Sequence, residues 1–234
     1  MQDGILEWTP QLPDMQHLRD RLRLDEDSDP DDLEQLEKML REAQTVARPR
    51  AMCRVTPIEA KGPDWVELAG VRITSALVGQ KLADQEICVL SIATCGPELG
   101  AWAQAYKADV MLQFWADEIM LAYLGEAIAG LDTHMKTEIF NGTKYARLSP
   151  GSLKEWPISG QGPLFRVLGA QDDGKGGLVS PLGVRLTPSF LMMPEKSVSS
   201  LSFLNDTGYV NCAYCPRLRC PNRRVPYTGQ STLS

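Results

Sequence analysis

The chain has 234 residues, enough for one ordinary-to-large domain carrying an N-terminal appendage. Hydrophobic residues make up 43% and charged residues 23%, the balance of a folded globular protein rather than a disordered one. The net charge of −6 excludes a general nucleic-acid-binding role, which needs clustered Lys and Arg; only Arg217, Arg219, Arg223 and Arg224 form a locally basic run.

Met1-Gln2-Asp3-Gly4 has no basic opening and no apolar stretch behind it, so no signal peptide is expected. The most apolar region, 110–129, is interrupted by Asp117, Glu118 and Glu126, which argues against a membrane span. A cytoplasmic protein is expected, and there its six cysteines are reduced or metal-bound rather than paired.

The first 30 residues are rich in Pro and Asp and read as a loosely structured arm with one short helix near 14–23. Asp29-Pro30 is a helix start, a capping carboxylate followed by Pro at the first helical position. Leu33, Leu36, Met39, Leu40, Ala43 and Val46 then recur at helical spacing, so 31–47 is expected to be an amphipathic helix that Pro49 stops. Between 51 and 94 the period changes to short β-branched runs at 51–58, 65–68, 71–73 and 86–93, the last (EICVLSIA) reading as a central strand. Pro97 opens a helix, and a long helix over about 109–129 is apolar on most sides and expected to be buried. Beyond Gly130 the segments 184–186, 190–193 and 198–204 read as strands, and 171–177 (QDDGKGG) as a flexible polar loop.

These elements predict an α+β domain, a mainly antiparallel twisted sheet with a central group of helices. The divisions expected are an arm and amphipathic helix at 1–48, the α+β domain at 49–208 and a Cys-rich segment at 209–234.

Three segments carry chemistry. The first is Tyr145-Ala146-Arg147-Leu148-Ser149-Pro150-Gly151-Ser152, followed by Trp156-Pro157. The second runs from Gly183-Val184-Arg185-Leu186-Thr187-Pro188-Ser189-Phe190-Leu191-Met192 into Lys196-Ser197-Val198-Ser199. The third is Cys212-Ala213-Tyr214-Cys215-Pro216 with Cys220-Pro221 and Arg223-Arg224. The Cys212-x2-Cys215-x4-Cys220 spacing lets one loop wrap a metal, one ligand short of a complete zinc or iron–sulfur site. Cys95, in the turn after the central strand, is a candidate fourth ligand. Free thiols are the other reading, and the basic run nearby reads equally as a solvated tail. Cys53 and Cys88 sit in strand patterns and read as core.

Read alone, Arg147 and Pro150-Gly151 favour a surface arginine beside a turn. The first two segments, however, resemble in order and separation the activation domain of cobalamin-dependent methionine synthase. That family has an Arg-x-x-x-Gly-Tyr loop with Pro before the Gly, then Gly-x-x-Leu-Thr-x-Ser-Phe-x-Met, then Ser-Val-Ser. The resemblance covers roughly 89–203, and the three segments together are similar to small stand-alone activation-domain-like proteins of anaerobic bacteria.

The resemblance implies that Arg147, Leu148, Gly151, Ser152 and Tyr209 hold S-adenosylmethionine, with the planar guanidinium clamping its carboxylate. Ser152 stands where the family has Tyr, which removes an aromatic surface. The family also places an acidic contact on the long helix, for which Asp117, Glu118 and Glu126 are candidates. It implies a reactivation component that binds S-adenosylmethionine for reductive methylation of cob(II)alamin held by a partner methyltransferase or corrinoid protein. A low-potential electron donor is a further partner, and an iron–sulfur centre at Cys212, Cys215 and Cys220 is the expected relay, with structural zinc at the same thiols as the alternative. No catalytic residue is implied. The rival reading is a non-catalytic module that docks a corrinoid protein and carries structural zinc or free thiols. Asp132-x-His134 approaches a cobalt-ligating motif but lacks its Gly, and neither a P-loop nor Gly-x-Gly-x-x-Gly is present.

Overall fold

The apolar segment EICVLSIA becomes the middle strand of a five-stranded sheet. The computed structural model describes residues 4–25, 27–220 and 223–230. Met1 to Asp3 of the arm, Pro221 of the third motif and residues 231–234 of the Cys-rich segment lie outside them. In chain order the elements are β1 (Gly4–Glu7), α1 (Met15–Leu22), α2 (Pro30–Val46), β2 (Arg50–Pro57), β3 (Ala60–Gly62), β4 (Trp65–Leu68), β5 (Val71–Thr74), α3 (Ala76–Lys81), β6 (Ile87–Thr94), α4 (Pro97–Ala103) and α5 (Val110–His134). A π-helical turn over 135–139 extends α5. Then come β7 (Tyr145–Leu148), α6 (Gln161–Val167), β8 (Gln171–Asp172), β9 (Leu178–Val179), β10 (Arg185–Leu186), β11 (Met192–Met193), β12 (Ser197–Leu204) and α7 (Asn211–Tyr214).

The main sheet has the order β1-β2-β6-β12-β7, and all of its pairings are antiparallel. Two smaller antiparallel sheets, β3-β4-β5 and β11-β10-β9-β8, complete the expected α+β architecture. Both faces of the main sheet are covered, which explains why β6 reads as a continuous apolar run rather than an alternating one. Its Cys88, Leu90 and Ile92 enter a core shared with α3, α6 and the small sheets. Val89, Ala93 and Cys95 enter a second core under α1, α2, α4 and α5.

Aspartates start three helices. Asp14 accepts from the backbone N–H groups of Gln16 and His17 at 2.9 and 3.1 Å, Asp29 from Asp31 at 3.0 Å, and Asp109 from Met111 and Leu112. The long helix α5 is buried on one side only. Trp115, Ile119, Tyr123, Ala127 and Leu131 face the sheet, while Val110, Met111 and Phe114 of its first turns stay exposed. A helix on one sheet face buries one stripe however apolar its remainder is. Among the described residues no helix is long and apolar enough to cross a membrane.

Two sequence expectations change here. The arm is tied down: β1 forms the sheet edge beside β2, and the Trp8 ring lies where Gly130 of α5 leaves room, 2.3 Å from the position a Cβ would take. The polar loop after α6 is pinned rather than flexible. Asp173 accepts N–H groups from Lys175 and Gly177, each at 2.8 Å, and pairs with Arg185 at 2.7 Å. The Arg185 guanidinium, followed by those backbone donors, holds the Asp173 carboxyl down at about 2.

Candidate functional site

Strand β7 lies at the far edge of the sheet, with Arg147 opposite Ser202 of β12. Alternation along β7 sends its side chains to different cores. Ala146 and Leu148 face the α3/α6 side, Leu148 fully buried, so the Leu148 side chain packs and does not face a ligand. Tyr145 and Arg147 face the end of α5.

There the Arg147 Nη2 donates to Asp132 Oδ1 and lies 3.6 Å from Met135 Sδ. Among the described residues neither its buried Nε–H nor the Ser202 hydroxyl across the strand pair has a hydrogen-bond partner. Tyr145 stacks on Phe140 with centroids 4.6 Å apart, and its hydroxyl stands 3.5 Å from Asp132 Oδ1. Burial, and then the Asp132 charge, push the Tyr145 phenol above its ordinary range. From the C-terminal segment Arg224 Nη2 reaches within 3.8 Å of Asp132 Oδ2. One carboxylate thus faces two guanidinium groups.

The bend follows directly. Gly151 has φ +81°, the left-handed region that favours glycine, and its N–H donates to the Trp156 carbonyl at 2.8 Å. The Ser152 hydroxyl donates to the Ser149 carbonyl at 2.6 Å and accepts from Asn211 Nδ2 at 3.1 Å. Asn211 Oδ1 in turn accepts from the Tyr209 hydroxyl at 3.0 Å. Tyr209 is buried, stacked on Tyr214 at 5.2 Å, with the Lys81 ammonium 4.6 Å over its ring. Burial raises the Tyr209 phenol and lowers the Lys81 ammonium from their ordinary values. Ser152, Asn211 and Tyr209 therefore form one hydrogen-bonded group next to the Gly151 bend, with Arg147 on the other face of β7. A cleft of about 300 Å³ beside the bend is lined by Leu153, Glu155, Tyr214 and Tyr227. A larger one, about 470 Å³, lies away from it between the arm and α5.

None of the three helix carboxylates expected to serve the site reaches Arg147. Asp117 pairs with Lys196 at 3.3 Å, Glu118 pairs with Arg21, and Glu126 lines the cleft under the arm. The helix carboxylate that pairs with Arg147 is Asp132. A signal for it was present: an aspartate near the C-terminal end of a helix opposes the helix dipole and needs a cation.

The thiol loop does not assemble as expected. Among the described residues no three His, Cys, Asp or Glu side chains form a group that could hold a metal ion. The loop closes instead on Arg223, whose Nη1 donates to the carbonyls of Cys212 and Val225 at 2.7 and 3.2 Å. Its Nη2 donates to those of Cys215 and Arg217 at 2.8 and 2.7 Å. Arg223 is thus bound into the structure rather than part of a solvated tail, whereas the Arg224 side chain stays mostly exposed. Cys95 belongs to the core on the opposite side of the sheet from Cys215, and burial pushes its thiol up to about 12. It is not placed to be a fourth ligand.

Family models and curated proteins yield no match to the chain. Solved structures do. The crystal structure of the MetH reactivation domain bound to AdoHcy matches with TM-score 0.58 at 18% identity, over 88% of this chain and 80% of that one. The chain has the fold of the MetH reactivation domain. This is the architecture that the ordered Arg-x-x-x-Gly and Gly-x-x-Leu-Thr-x-Ser-Phe-x-Met motifs pointed to. At this identity the likeness is one of fold.

Proposed function

We propose that the chain is an S-adenosylmethionine-binding reactivation component for a cobalamin-dependent methyltransferase. Its task on this reading is to position the cofactor for reductive methylation of cob(II)alamin on a partner protein. The supporting observation is the Arg147 guanidinium at the sheet edge, with a buried N–H that has no partner among the described residues, four residues before a glycine bend. The likeness to a reactivation domain bound to AdoHcy adds weight.

The donor set fits such a ligand. A planar guanidinium suits a carboxylate, and Gly151 keeps side-chain bulk away from the bend. Tyr209 is held through Asn211 to the Ser152 hydroxyl, so the bend and the C-terminal segment move as one unit. When bound, S-adenosylmethionine supplies an electrophilic methyl group on its sulfonium; the chain supplies position, converting an encounter into an oriented approach. The electron comes from an external low-potential donor on this reading. An iron–sulfur relay at Cys212, Cys215 and Cys220 would require those thiols to converge on one centre, and among the described residues they form no such group.

The rival, a corrinoid-protein-docking module that binds no cofactor, draws on the pairing of Arg147 with Asp132. Calorimetry with S-adenosylmethionine separates the two. Saturable binding that is lost in Arg147→Ala supports the proposal; no heat with either protein favours the module.

A further inference from the structure

The C-terminal loop holds two thiols, Cys212 and Cys215, that the functional reading leaves unused. We propose that they are a redox-active dithiol, oxidised to a disulfide by small anionic disulfides, and that its state is felt at the Gly151 bend. The proposal stands apart from cofactor binding.

The backbone sets the pair. Ala213 and Tyr214 lie between the two cysteines in α7, so one helical turn separates their Cα atoms, about 5 Å by helix geometry. That falls inside the roughly 4.4–6.8 Å that a disulfide spans. Cys215 ends the helix with φ −79°, still near the helical value, which keeps its Cβ on the face that Cys212 shares at this spacing. Arg223 holds both ends of the turn, donating to the Cys212 carbonyl at 2.7 Å and the Cys215 carbonyl at 2.8 Å. Cys220 sits apart in a second turn, its carbonyl accepting the Arg223 N–H at 3.1 Å. Both thiols of the pair are partly accessible, unlike those of Cys53, Cys88 and Cys95.

The exchange balances. One thiol attacks the small disulfide and expels a small thiol, leaving a mixed disulfide; the second thiol then displaces the other half. Two protein S–H bonds and one S–S bond become a protein S–S bond and two small thiols. Arg217, Arg219 and Arg224 are exposed in the same loop, so an oxidant carrying carboxylates is favoured. The turn also touches the bend. Asn211, just before it, bridges the Tyr209 and Ser152 hydroxyls, and Tyr214, inside it, stacks on Tyr209.

The test titrates reduced full-length protein with oxidised glutathione, and separately with cystamine, a cationic disulfide, before alkylation and peptide mapping. Two alkylatable thiols should be lost, with Cys212 linked to Cys215, in wild type and in Cys220→Ser. Cys212→Ser and Cys215→Ser should stop at a mixed disulfide. Glutathione should react roughly tenfold faster than cystamine at low salt, the ratio falling as salt rises. Hydrogen exchange at the Gly151 amide should slow several-fold on oxidation. A link through Cys220, an intermolecular disulfide or no reaction would overturn the dithiol. A rate ratio indifferent to salt would overturn the oxidant class, and unchanged exchange at Gly151 the connection to the bend.

Discussion

Arg147 of the edge strand β7 donates to Asp132 at the end of α5, joining the outermost strand of the sheet to the helix that covers it. This pair fixes where the guanidinium lies, on the face of β7 opposite the group around the Gly151 bend. It also makes the first prediction specific. Arg147→Ala should reduce S-adenosylmethionine or AdoHcy affinity by about tenfold to a hundredfold, the span expected for a charged hydrogen bond lost from a partly buried site. Calorimetry measures it, with a melting curve to show that the fold persists.

Gly151→Ala should lower stability by roughly 1–2 kcal/mol, because alanine is strained at positive φ. The added Cβ would lie 2.8 Å from Ile158 Cδ1, a side-chain end that can yield, so backbone strain dominates. Denaturant unfolding reads the change, and a value within error of wild type would show that the bend relaxes.

Thiol titration should divide the six cysteines evenly. Cys212, Cys215 and Cys220 are partly accessible, whereas Cys53, Cys88 and Cys95 are buried, with Cys88 and Cys95 both pushed up to about 12 by burial. Native protein is expected to show three fast-reacting thiols and denatured protein all six. Fewer fast thiols, with metal released as they react, would revive the metal-centre expectation.

Asp173 predicts a pH dependence. Its folded carboxyl is held at about 2, below the ordinary 3.8, so its contribution to stability is present above 3.8 and is lost as pH falls toward 2. Asp173→Asn should therefore be less stable than wild type near neutrality, with the gap narrowing as pH drops through that window. Unfolding curves across pH 2–6 would show it.

Gly130→Ala is expected to destabilise by about 1–3 kcal/mol, the scale of overpacking, despite alanine's better helix propensity. The Cβ would fall onto the Trp8 ring. Faster proteolytic clipping ahead of α1 is the accompanying sign.

Much of the architecture was legible because it rests on local signals. Asp29-Pro30 and Pro97 mark helix starts where α2 and α4 begin, and the apolar run at 86–93 is β6 nearly to the residue. What the sequence hid depends on long-range partners. Gly4–Glu7 is too short and polar to read as a strand; it becomes one because the edge of β2 is available. Asp173 read as part of a flexible polar loop because its partner Arg185 lies twelve residues away. The candidate site divides the same way. Arg147 and Gly151 were found by motif, whereas Asp132, Asn211 and Arg224 join them only through the fold. The thiol spacing suggested convergence on a metal, but nothing in spacing reveals that the loop carbonyls turn to Arg223.

The carbonyl that accepts the Gly151 N–H belongs to Trp156, a fully buried indole whose own N–H has no partner among the described residues. The bend therefore has an optical reporter wired to it by a single hydrogen bond. The other four tryptophans lie elsewhere in the chain, at 8, 65, 102 and 115. A protein retaining only the indole at 156 would let occupancy of the bend be followed by its emission in real time, with no label attached.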